Sequence, residues 1–175
     1  MDAARIGGAI ANFCDHSEHA EETDRPAVVE GARELIELAF EIADFEREDL
    51  LLLYTGRLAV IESESEFQTG ELTDSPPLVA AGEAETLRDL QEIQIGHSLR
   101  FSPDIMGLSR ANQLRHHSLR VSMLVGALAE QARHGKRREE FITQEIPDVL
   151  ATGLLISTTM HERLPDIPAA PVFFD

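Results

Sequence analysis

Tryptophan is missing from this 175-residue chain, and tyrosine and cysteine each occur once. With Cys14 alone there is no intrachain disulfide, so its cysteine content gives no sign of secretion. No apolar run is long enough to span a bilayer, which predicts a protein with no membrane partner. The opening MDAARIGGAIANFCD has one arginine and a weak apolar run, without the charged region and cleavage site of a signal peptide. These features together predict a cytoplasmic protein. No β-type alternation of useful length is found, nor any internal repeat or specific zinc-type spacing. The cluster of Cys14, His16 and His19 in CDHSEH reads as a polar turn, because no fourth ligand for a transition metal stands nearby.

Lysine is almost missing too. Lys136 is the only one among 15 basic residues, and the formal net charge is −17. An acid-rich, lysine-poor chain of this kind suits high salt, where self-repulsion is screened. The charge is uneven. Residues 97–138 hold eight basic residues and two acids, whereas 1–96 hold six basic residues and 23 acids. A basic island in an acidic chain is a candidate anion surface, or a set of partners for acids elsewhere in the fold. It lacks the wider basic character that would signal DNA binding.

What is present in abundance is helical periodicity. Val28, Ala32, Leu35, Ile36, Ala39, Phe40 and Ala43 recur on one face, with acids opposite. Asp24 and Pro26 read as the cap and first turn of that helix. The pattern predicts helices over about 2–13, 24–47, 48–61, 83–99, 110–134 and a last one ending near 164. The fold class is all-α, a bundle of five or six helices, with Arg110–His134 as its central helix because both sides of it carry apolar residues. The chain reads as one domain over 1–175. N-terminal helices fill 1–61, an acidic Ser/Pro loop 62–82, C-terminal helices 83–164 and a proline-rich tail 165–175. Two apolar faces on one helix also suggest a homo-oligomer.

The start of the last helix has two readings. Either Thr143 caps it with Pro147 in the first turn, or a longer helix from about Lys136 kinks at Pro147. Along it, Ile142, Ile146, Val149, Leu150, Gly153, Leu154 and Met160 form a broad apolar arc. Glu145, Asp148, Thr152 and Thr159 form a narrow polar stripe beside it, suited to lining a cleft. On the preceding helix, Leu114, His117, Val121, Leu124, Val125 and Leu128 form an inner stripe. Asn112, His116, Leu119, Met123, Ala127 and Glu130 lie nearly opposite. His117 therefore reads as a hydrogen-bonded core residue. Glu130, Glu145 and Asp148 are three carboxylates on neighbouring helices, and they read either as metal ligands or as solvated acids. Arg110, Arg115, His116 and Arg120 are candidate phosphate-binding groups, since the guanidinium fork matches phosphate, although Arg115 and Arg120 point about 140° apart on a helix.

The segment EEFITQEIPDVLATGLLIST resembles the second metal-binding helix of the MazG-like all-α nucleoside triphosphate pyrophosphohydrolases, which carries ExxD before an apolar run. LRVSMLVGALAEQA resembles the family's first motif helix, which carries EExxE. Glu145 and Asp148 match ExxD, and Glu130 matches the last glutamate of EExxE. Gly126 and Ala127 stand where the first two glutamates would be, so the matched metal site is a reduced one. The resemblance covers about residues 113–161. It implies a nucleotide-binding or nucleoside triphosphate pyrophosphohydrolase-related protein, with magnesium as cofactor on Glu130, Glu145 and Asp148 and a nucleotide as partner. Magnesium there would bridge phosphate oxygens and help form hydroxide. A second expectation is a non-catalytic helical interaction protein. A third is a ribonuclease resembling the HEPN family, from the R-x₅-H spacing of Arg110 and His116.

Overall fold

The computed structural model describes residues 8, 21–69, 84–135 and 138–169. Apart from Gly8, the expected helix over 2–13 lies outside them, as do Cys14, His16, His19 and most of the acidic loop.

The fold is an all-α bundle, and among the described residues there is no β-strand. Helix α1 spans Glu21–Glu46 and α2 Leu50–Thr69. Then come α3 over Leu87–Phe101, a single turn α4 over Pro103–Met106, and α5 over Arg110–His134. The last helical stretch is continuous. It runs through α6 (Arg138–Glu140), a π-helical turn (Phe141–Glu145) and α7 (Ile146–Thr159). No described helix is long and apolar enough to cross a membrane.

Local chemistry sets the helix ends. Asp49 caps α2, its Oδ1 accepting from the backbone N–H of Leu51 and Leu52. Thr86 and Asp89 form a capping box at the start of α3. Gly135 ends α5 in the left-handed conformation, at φ 56°. Ser109 occupies the cap position of α5 without a side-chain bond to it. Helix α1 begins at Glu21, so Asp24 lies inside it and is not its cap. Helix α2 continues to Thr69, eight residues beyond the expected end.

The expected centre is corrected. Helix α7, not α5, lies at the middle of the bundle, packed on α1, α2, α3 and α5. The reason is compositional. Residues 149–157 are all buried, leaving α7 with no solvent face over that stretch. By contrast α5 buries only its inner stripe, with Leu114, His117, Val121 and Leu124 inside. On its outer stripe Leu119 is 69% exposed and Met123 75%.

Helix α1 makes the most extensive contact with α7. All seven residues of its apolar face are buried. The contact is tight at Gly153, where an added Cβ would lie 2.8 Å from Ile36 Cγ1 and 2.9 Å from the Ala32 carbonyl oxygen. Only hydrogen fits there.

Thr143 does not cap a helix. Its hydroxyl donates to the Glu139 carbonyl one turn back, inside continuous helix. The longer helix of the second reading is therefore present, running on through Pro147 from Arg138. The backbone widens to a π turn, with the Ile146 N–H reaching back to the Phe141 carbonyl. The widening directly precedes Pro147, which has no N–H and whose ring would crowd the carbonyl of residue 143 in a regular helix.

Candidate functional site: a charged cluster between a cavity and a groove

The π turn and Pro147 place Glu145 and Asp148 at the start of α7, facing α2 and α5. Asp148 is mostly buried, and two arginines converge on it. Arg57 of α2 donates from Nε to Oδ1 at 3.0 Å and from Nη2 to Oδ2 at 3.2 Å. Arg120 of α5 reaches Oδ2 at 3.1 Å. These are charge-assisted bonds, the Arg57 pair in fork geometry. The bond to Asp148 is the main cause that raises the Arg57 pKa further above its usual value. Glu145 lies close enough to add to the same effect.

This cluster separates two spaces. Arg57, His116, Arg120 and Asp148 line both. Outside is an open groove of about 540 Å³ along α5 and the π turn, where Leu119, Met123, Leu124 and Ala127 supply an apolar wall and Gln144 and Glu145 a polar edge. Inside is a narrower cavity of about 80 Å³ between α2, α3, α4, α5 and α7. Its wall is polar. Tyr54 donates to Gln94 Oε1 at 2.6 Å, and Gln94 Nε2 donates to Ser98 Oγ at 2.8 Å. Burial raises the Tyr54 pKa, keeping it a neutral hydroxyl.

The two buried histidines also line the cavity. Burial lowers the pKa of His97, and it lowers that of His117 to about 4, with smaller contributions from the neighbouring charges of His116 and Arg120. His117 is the core residue expected from its stripe. Its Nε2 lies 3.4 Å from Thr159 Oγ1.

The structure gathers part of the expected set. His116, Arg120, Glu145 and Asp148 share the groove. Glu130 is exposed on the far end of α5 and does not line it. Arg115 points away and donates to Asn112 at 3.0 Å. Arg110 lines neither space. Among the described residues no group of three or more His, Cys, Asp or Glu side chains is placed to hold a metal ion. The reduced magnesium site does not fit this geometry, because Asp148 spends both oxygens on guanidinium groups and Glu130 lies elsewhere.

The residue that sequence reasoning passed over is Arg57. The signal was there: it is the sole basic residue between Arg47 and Arg88, set in the apolar run LLLLYTGRLAVI. A lone arginine in such a helix needs a buried acid. His97 and Gln94 carried no comparable signal, since nothing in one sequence shows that α3 faces α2.

No family model matches the chain, and neither the curated proteins nor the solved structures contain a significant match to it.

Proposed function

We propose that the protein binds a phosphate-bearing small molecule of the nucleotide class in the outer groove, without catalysing metal-dependent hydrolysis. The observation that carries this is the convergence of Arg57 and Arg120 on the groove, held in place by Asp148. A guanidinium has five N–H donors. Asp148 takes two from Arg57 and one from Arg120, so both arginines keep donors for an anion. His116 lines the same groove and adds an imidazole that can hydrogen-bond an anion. Leu119, Met123 and Leu124 offer an apolar wall for the face of a base. The groove volume of about 540 Å³ falls in the usual range of small-molecule sites.

The test is a thermal-shift panel of nucleoside mono-, di- and triphosphates in EDTA. A ligand that binds the native state raises the melting temperature by linkage. A raised melting temperature with at least one phosphorylated compound, absent with the matching nucleoside, supports the reading. A panel without any shift rejects it. Magnesium-dependent pyrophosphate release would instead favour the hydrolase.

A second reading rests on the exposed outer stripe of α5. Leu119 and Met123 present apolar surface one turn apart. An antiparallel pairing of two copies of α5 about Met123 would cover both and set Glu130 of one copy beside His116 of the other. Such an interface is isologous, as in most homodimers. Light scattering of wild type and Met123→Glu tests it: a dimer that becomes a monomer supports this reading, and a wild-type monomer excludes it.

A further inference from the structure

The charge balance around the groove narrows the kind of phosphate that it can hold. Arg57 and Arg120 bring two positive charges, and Asp148 pairs with both of them. Two more acids act at the same place. Glu145 lines the groove, and its charge reaches Arg57. Glu64, further along α2, acts on Arg57 in the same way. Two cations therefore face three carboxylates.

The three acids differ in what they do. Asp148 has both oxygens on guanidinium groups and a side chain only 16% exposed, so it is fixed within the cluster. Glu145 is half-buried at the groove edge, and Glu64 is exposed. Neither of them is bonded to Arg57 or Arg120 as Asp148 is. Their effect on a ligand is repulsion.

Hydrogen bonding alone does not separate one phosphate from another. Both arginines keep N–H donors enough for the oxygens of any of them. Charge does separate them. A terminal phosphate carries close to two negative charges above its second pKa of about 6. A phosphodiester carries one. The pull of the arginines grows in proportion to the charge of the ligand, whereas the cost of stripping its water grows faster. The second charge also meets the repulsion of Glu145 and Glu64, with no third cation to offset it.

We infer that the ligand meets Arg57 and Arg120 through a phosphodiester group, with one negative charge, and not through a terminal phosphate. The inference rests on the phosphate reading of the groove. Glu145 and Glu64 are then its specificity-determining residues, because they reject the second charge.

The test is calorimetric titration of the full chain in EDTA at about pH 8, where a monoester is doubly ionised. The probes are the 5′-monophosphates of adenosine, guanosine, cytidine and uridine, each paired with its methyl phosphodiester. The members of a pair differ by one charge and one methyl group. The expected result is tighter binding of the diester, by about tenfold, for at least one nucleoside. That is the scale of one charge beside a carboxylate near a protein surface. Glu145→Gln should tighten the monoester more than the diester and narrow the gap. Glu64→Gln, on exposed surface, repeats the test without a risk to folding. A gap equal in wild type and both variants comes from the methyl group, and overturns the inference. A wild-type monoester that binds as tightly as its diester also overturns it, and leaves the phosphate reading standing. No binding of any compound overturns the phosphate reading as well.

Discussion

Arg57 grips Asp148 with both ends of one guanidinium edge, Nε to Oδ1 at 3.0 Å and Nη2 to Oδ2 at 3.2 Å. The two residues lie 91 positions apart and tie α2 to α7 at the edge of the groove. Removing the acid leaves Arg57 and Arg120 facing each other in a half-buried place. Asp148→Ala should therefore destabilise the fold by about 2 kcal/mol, below the cost of breaking a fully buried pair. Urea unfolding measures this. An unchanged midpoint would mean that solvent replaces the carboxylate at no cost.

Gly153 tests the close approach of α1 and α7. Alanine is the better helix former by about 1 kcal/mol. Yet its Cβ would stand 2.8 Å from Ile36 Cγ1 and 2.9 Å from a backbone oxygen. Overpacking of this kind costs about 1–3 kcal/mol, so Gly153→Ala should lower stability despite its propensity. A higher melting temperature for this variant would contradict the packing described.

The apolar half of this fold was legible in the sequence. Every residue of the stripe from Val28 to Ala43 is buried, as is the arc from Ile142 to Met160. Periodicity reports which face is apolar, but not how many neighbours an element has. Hence α5 was expected at the centre, although Leu119 and Met123 stay in solvent and the all-round apolar α7 holds that place. The site was legible only in part. Glu145 and Asp148 lie on the polar stripe that the periodicity assigned to a cleft, and there they meet His116 and Arg120, which it assigned to no cleft. Arg57 joins them from a helix that is distant in the chain, and pairing across such a distance leaves no spacing to read. The π turn was signalled by Pro147 alone.

His117 gives a pH dependence. Its folded pKa is near 4, below the usual 6.5 of the unfolded chain. Between those values the unfolded state binds the proton and the native state does not. Stability is then full above about pH 6.5 and falls as the pH drops towards 4, by about 3 kcal/mol from this residue. His117→Asn should flatten that part of the profile. A His117 ring that titrates near 6.5 by proton NMR would refute the assignment.

The capping box of α3 is a local test. Thr86→Ala removes the acceptor for the Asp89 N–H, bonded at 3.2 Å. The loss should be about 1 kcal/mol. The same mutation frees the Asp89 carboxylate from the hydroxyl that is the largest cause of its lowered pKa. A rise of that pKa towards its ordinary value, followed by carboxylate NMR, separates the capping effect from general loosening.

The central claim is that Arg57 and Arg120 hold a phosphate, with Asp148 positioning them. Calorimetric titration of the best nucleotide from the panel tests it most directly, in EDTA and in magnesium, on wild type and on Arg120→Gln. The account predicts binding in EDTA and a loss of about tenfold or more in the variant, equal to 1.4 kcal/mol. Binding that requires magnesium, or that survives Arg120→Gln unchanged, would contradict it.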